Sequence, residues 1–292
     1  MVATAQKPGV NQAVPNSSGT APPRLKAPVN AADCHIHIYD PHFPPPADKP
    51  SNGAVPDYRL LQKRIGLSRV VIVTPRNYAT DNAVTVDAIK QLGMDNARGV
   101  AVLRPTVTDA ELKSLNEGGI RGIRFTTGDA RTAVVTVDMI EPLAQRIAAL
   151  GWHVQLNMPV QQIVDHANLL GRLPTQLVFD HMGKVPGLDH AAYGVIRGLV
   201  DKRRAWVKIS GAYMYQAGPP AYSDATTIAQ AYVKAAPERL VWGSDWPHPG
   251  PKEKPDDAVL FDLLTAWAPD EATRNRILVA NPEALYGFPK SA

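Results

Sequence analysis

With a single cysteine in 292 residues, the chain cannot build an intramolecular disulfide framework, and that scarcity fits a reducing compartment. No stretch is long and apolar enough to cross a bilayer. Lysine and arginine exceed aspartate and glutamate only by 31 to 27, and no run of them is interleaved with aromatics, which argues against nucleic-acid binding. A glycine-rich phosphate loop after the first strand is also missing, and with it the main signature of a doubly wound dinucleotide fold. Residues 1–28 lack the apolar core of a secretory signal and hold too few large apolar side chains to fold alone. They are expected to form a mobile leader or an arm draped over the surface, and the protein is expected in the cytoplasm.

What the chain does have is alternation. At 45% hydrophobic it can bury a sizeable core. Eight short apolar runs, at 31–38, 69–74, 98–103, 119–125, 153–158, 176–181, 205–209 and 240–244, are each followed by a segment of helical pattern. Strands separated by helices pair in parallel, and eight such units fit a closed (β/α)8 TIM barrel of roughly 250 residues. Residues 29–292 are therefore expected to form one barrel domain.

The first run carries His35 and His37. Two positions apart on a strand, they point to one side. A pair so placed can hold a metal ion or an anionic substrate, although one core and one surface histidine would be the ordinary reading. Cys34 lies between Asp33 and His35 and is expected to face opposite to the histidines, as a buried filler rather than a nucleophile. In a (β/α)8 barrel the chemistry sits at the C-terminal ends of the strands. The residues there are Arg76 and Tyr78 after strand two, Arg124 on strand four, Asn157 on five and Asp180 and His181 on six. Strand seven adds Lys208 and Ser210, with Tyr213 beyond, and strand eight leads to Asp245. A helix cap or surface ion pair explains any one of these, but not their recurrence at the same end of most strands.

The stretches Asp33-Cys34-His35-Ile36-His37, Asp180-His181-Met182-Gly183 and Trp242-Gly243-Ser244-Asp245-Trp246-Pro247-His248-Pro249 resemble the motifs of the amidohydrolase superfamily. More narrowly they resemble its branch of pyrone-dicarboxylate lactonases and galactarolactone isomerases, and Thr80-Asp81-Asn82 and Gly122-Ile123-Arg124-Phe125 agree. The first motif belongs to the whole superfamily, and the other two mark the branch. The superfamily's usual metal site adds a carboxylated lysine on strand four and a histidine on strand five. Here Arg124 and Asn157 stand in those places. His35, His37 and Asp245 would suffice in number for zinc, but an arginine in the same mouth disfavours a dication. The branch is known for working without metal, so no metal and no other cofactor is expected.

Without a metal, Asp245 is the expected general base. His35, His37, His181 and Arg124 would surround a lactone carbonyl, some donating to its oxygen as charge develops. Arg76, Tyr78, Arg124, Asn157, Lys184, Ser210 and Tyr213 are the expected substrate-binding residues. Lys184 stands where the branch's lactonases have an arginine, Asn157 where they have a tyrosine, and Arg131 is out of register by one. Fewer guanidinium forks and more amides and hydroxyls suit a substrate with one free carboxylate and several hydroxyls. The resemblance then implies a small-molecule partner, an aldaric acid lactone such as D-galactaro-1,5-lactone, isomerised to the 1,4-lactone. Hydrolysis of a carboxylated lactone is the alternative, since residue types do not separate the two.

Overall fold

Aliphatic and β-branched runs, too short for helices and bounded by glycine, proline or polar turns, form the inner wall of the molecule. In the computed structural model, residues 9–44, 53–128 and 133–290 are described. The strands are β1 (Ala32–Ile36), β2 (Arg69–Val73), β3 (Ala97–Ala101), β4 (Ile120–Thr126), β5 (His153–Asn157), β6 (Leu177–Phe179), β7 (Ala205–Ile209) and β8 (Leu240–Trp242). They lie side by side in sequence order, each parallel to the next, with helices between them. The barrel closes just past β8. Asp245 N–H donates to His35 O and His37 N–H to Trp246 O, both at 2.8 Å. Asp33 reinforces the seam, accepting from Ser244 N–H at 2.9 Å and from its hydroxyl at 2.6 Å. At Gly243 a Cβ would lie 2.7 Å from the Cβ of His35, so only glycine lets these two segments meet.

Several elements differ from expectation, each for a local reason. Between Asp33 and Ile36, β1 carries an extra residue relative to β2, a bulge that breaks the alternation. Cys34 therefore does not turn away from the histidines' side. It packs with Val71, Val100, Val178 and Val241 in an apolar layer that Tyr286 and Phe288 complete. β6 stops at Phe179 because His181, Met182 and Gly183 take left-handed φ values of 51°, 55° and 68°. The helical segment after β5 is two pieces, Val160–Asp165 and Ala167–Arg172, meeting at His166.

Residues 9–28 lie on the barrel. Pro15 O accepts from the Trp246 indole at 2.8 Å, and Ser18 N–H donates to Pro255 O at 3.0 Å. The buried Arg64 guanidinium reaches Ala21 O at 2.8 Å, Ser18 O at 3.0 Å, Ser17 Oγ at 3.2 Å and the Asp256 carboxylate. Over these residues the leader is a strap, tied to the loop that carries Asp245. Residues 1–8 lie outside the described residues, as does Arg131. Among the described residues, no helix is long and apolar enough to cross a membrane.

Candidate active site

The C-terminal ends of the strands open into a cavity of about 670 Å³. Of the residues expected there, His37, His181, Asp245, Arg76, Arg124, Asn157 and Lys184 line it, together with Asn77 and Thr126. Others stand behind the wall. His35 is fully buried and forms the floor. Ser210 backs His181, its hydroxyl 3.0 Å from Nδ1. Tyr213 donates its hydroxyl to Asp245 Oδ2. Tyr78 turns away altogether: its hydroxyl donates to Asp40 O at 3.3 Å and its ring packs beside Tyr39, so it braces a loop instead of meeting substrate. The left-handed turn after β6 is what swings His181 over the barrel axis, since a continued strand would send alternate side chains to opposite faces.

Three imidazoles converge on one carboxylate oxygen. The Nε2 atoms of His35, His37 and His181 lie 3.4, 3.5 and 3.8 Å from Asp245 Oδ1, and the His35 and His37 Nε2 atoms are 3.3 Å apart. Beneath them is a polar layer to which the sequence reading gave no role. Lys208 Nζ is 3.2 Å from His35 Nδ1 and donates to Gln155 Oε1 at 2.7 Å. Gln155 Nε2 donates to Asp180 Oδ2 at 3.1 Å, and Arg124 Nε donates to the same oxygen at 2.9 Å. A signal for this layer existed: Gln155 shares a strand face with Asn157, Lys208 shares one with Ser210, and a lysine inside Trp206-Val207-Lys208-Ile209 needs a buried partner.

Burial is the largest influence on charge here. It drives His35 well below its ordinary value, with the Lys208 ammonium adding to the effect. It also lowers His181 to about 4, so both rings are neutral near pH 7. Lys208 is pushed down to about 8 by the same loss of water. Burial works against charge on Asp245 too, but the ring of His181, His37 and His35 outweighs it and holds the carboxyl well below the usual range. Asp180 is likewise held down against burial by His35, Arg124 and Lys208. Asp245 is thus an ionised carboxylate beside the neutral rings of His35 and His181, and its Oδ1 carries no hydrogen bond among the described residues.

Residues 32–288 match the family described as amidohydrolase. The chain belongs to the amidohydrolase family. Among characterised amidohydrolase relatives it is 32% identical to a 4-sulfomuconolactone hydrolase of Rhizobium radiobacter, over 92% of this chain and 93% of that one. It is also 32% identical to a 2-pyrone-4,6-dicarboxylate hydrolase of Comamonas testosteroni (90% and 92% of the two chains). The same identity holds for the D-galactarolactone isomerase of Agrobacterium fabrum (95% and 97%). An apo crystal structure from Agrobacterium tumefaciens superposes with a TM-score of 0.86 at 29% identity, covering 94% of this chain and 99% of that one.

A divalent cation of the kind usual in the amidohydrolase superfamily would be held by His35, His37 and Asp245. His35 Nε2, His37 Nε2 and Asp245 Oδ1 are separated by 3.3, 3.4 and 3.5 Å. That is close to the ~3.3–3.4 Å edge of a tetrahedron with zinc–ligand bonds of ~2.0–2.1 Å. Spacing suits a metal, but proton placement does not. His37 Nδ1 lies 2.8 Å from Val73 O; a carbonyl only accepts, so Nδ1 holds the proton and Nε2 accepts. Its partner at 3.3 Å, His35 Nε2, must then supply the proton. A protonated nitrogen has no lone pair for a cation, so the donor set as it stands does not fit one. Arg124 lines the cavity while its Nε donates to Asp180 at 2.9 Å.

Proposed function

We propose that this amidohydrolase acts without metal on a carboxylated lactone, and that its reaction is isomerisation of an aldaric acid lactone, D-galactaro-1,5-lactone to the 1,4-lactone. One observation carries the reading: Asp245, whose Oδ1 has no hydrogen bond among the described residues, lines the same cavity as Arg76, Arg124 and Lys184. A base and cations in one cavity suit a lactone whose ester lies over Asp245 while its free carboxylate is held by the cations. Asn77, Asn157 and Thr126 in the same lining offer donors and acceptors to sugar hydroxyls.

In this mechanism Asp245 takes the proton of the free hydroxyl one carbon nearer the carbonyl than the ring oxygen. That oxygen attacks the carbonyl carbon to form a tetrahedral oxyanion. His181, its Nδ1 3.0 Å from the Ser210 hydroxyl, accepts from that hydroxyl and turns Nε2–H to the cavity, where it donates to the oxyanion. Collapse breaks the bond to the old ring oxygen, and Asp245 returns the proton to it. No water is consumed. The second reading, hydrolysis of a dianionic lactone, is favoured by the number of cations on the wall, because Arg76 and Lys184 can serve a second acid group. Proton NMR of galactaro- and glucaro-1,5-lactone with the enzyme tests both. The 1,4-lactone is expected first, with no 18O uptake from labelled water; early open diacid carrying the label would favour hydrolysis. If neither lactone changes faster than in buffer, the substrate assignment fails.

A further inference from the structure

We propose that Lys208 is a positioning residue that holds His35 in the tautomer which keeps this pocket free of metal, and that removing its amino group turns the pocket into a zinc site. The inference starts from a row of hydrogen bonds whose directions are fixed at both ends. At one end Val73 O can only accept, which puts the His37 proton on Nδ1 at 2.8 Å. At the other end the Lys208 ammonium can only donate, and it lies 3.2 Å from His35 Nδ1. Between them the two Nε2 atoms meet at 3.3 Å, and a single proton on His35 Nε2 satisfies the whole row. Each link agrees with the next: Lys208 to His35, His35 to His37, His37 to Val73.

A competing partner for His35 is already in place. Asp180 Oδ1 is 3.2 Å from His35 Nδ1, yet this oxygen has no hydrogen bond among the described residues. Both partners stand 3.2 Å from the ring nitrogen, and the ammonium is the one that calls for a lone pair there. Asp180 is held there through its other oxygen, by Arg124 at 2.9 Å and Gln155 at 3.1 Å. If Lys208 loses its donor, a small ring rotation lets Nδ1–H donate to Asp180 Oδ1. A carboxylate behind the distal nitrogen is the usual support of a metal-binding histidine. His35 Nε2 then presents a lone pair, beside His37 Nε2 and Asp245 Oδ1 at separations of 3.4 Å or less from itself. The lysine therefore decides between a proton-donating histidine pair and a metal-binding one, with every ligand atom already in position.

The proposal touches the lactone reading only in explaining why that chemistry runs without metal. Its test uses no substrate, so the two can fail separately. Long-range 1H–15N spectra of the full chain report the imidazole tautomers. In the wild type the His35 proton is expected on Nε2 and the His37 proton on Nδ1. In Lys208→Met the His35 proton is expected on Nδ1, and the zinc dissociation constant, read by competition with a chromophoric chelator, is expected to fall by ~10–100-fold. Lys208→Gln, which keeps an N–H donor, should retain more of the wild-type tautomer and gain less. A wild-type His35 proton on Nδ1 overturns the proposal whether or not the variants fold. So does a folded Lys208→Met with an unchanged tautomer, or with a flipped tautomer and zinc affinity within twofold of wild type.

Discussion

Replacing Asp245 by asparagine separates base chemistry from everything else the residue does. The side chain keeps its volume, the amide oxygen can still accept from the Tyr213 hydroxyl, and the backbone bond from Asp245 N–H to His35 O at 2.8 Å is untouched. The seam between β1 and β8 should therefore survive, as should the cationic wall. What is lost is the proton acceptor. A general base contributes ~10²–10⁴-fold, or ~3–5 kcal/mol of barrier. Asp245 is held well below the usual carboxylate pKa, which makes it a weak base and places the loss nearer ~10³-fold than the upper limit. That loss should fall on kcat, with KM changed by less than ~3-fold, because binding rests on Arg76, Arg124 and Lys184 rather than on the base. Kinetics come from NMR time courses with D-galactaro-1,5-lactone, and affinity from calorimetry with the open diacid as a non-reacting ligand. Turnover within ~10-fold of wild type, or a loss carried wholly by KM, would refute the reasoning.

Three other outcomes are expected. Arg64→Ala removes a buried guanidinium bonded to Asp256, Ser17, Ser18 and Ala21 and should cost ~3–5 kcal/mol in urea unfolding, the scale of a broken buried pair; a cost below ~1 kcal/mol would mean the strap is not held there. For catalysis, the acid limb of kcat/KM should appear only near pH 4 or lower. Asp245 stays ionised until then and His181 takes its proton at about 4, whereas a limb near 6–7 would indicate a histidine base. Stability should respond to Asp33, whose carboxyl burial raises from 3.8 to about 7. The folded state keeps this proton while the unfolded state releases it, so stability falls as pH rises from about 4 to about 7, by up to ~4 kcal/mol. Asp33→Asn should flatten that slope in urea titrations, and an equally steep slope in the variant counts against the assignment.

The barrel was legible in the sequence because its strands are parallel and buried on both faces, and such strands appear as continuous apolar runs punctuated by turns. The floor of the site was legible for a different reason: His35, His37, His181 and Asp245 sit at strand ends, where side-chain identity is free of the packing rules that fill the core. What escaped was set by backbone geometry. The bulge in β1 that brings Cys34 into the barrel interior has no glycine or proline to announce it. Three of the four consecutive left-handed residues there, His181, Met182 and Lys184, are not glycine either, so little in the local sequence marks the turn. Tyr78 reads as a mouth residue from its distance past β2, but a short helical turn at Arg76–Tyr78 carries its hydroxyl into a neighbouring loop. Asp180, Gln155 and Lys208 were visible as residues, yet their importance lies in mutual distances between three strands, which no linear spacing encodes.

The strap also fixes an order of assembly. Pro15 is made long before its partner, since the indole it binds lies 231 positions later, and Arg24 waits 238 positions for Asp262. The hydrogen bonds that close the barrel at His35 and His37 wait equally for Asp245 and Trp246. A nascent chain stalled before strand eight therefore holds both histidines and the strap with nothing to receive either. The Asp245 carboxylate, its backbone seam and its tether then arrive together within some twenty residues of synthesis, so partial translation products should be inert rather than weakly active.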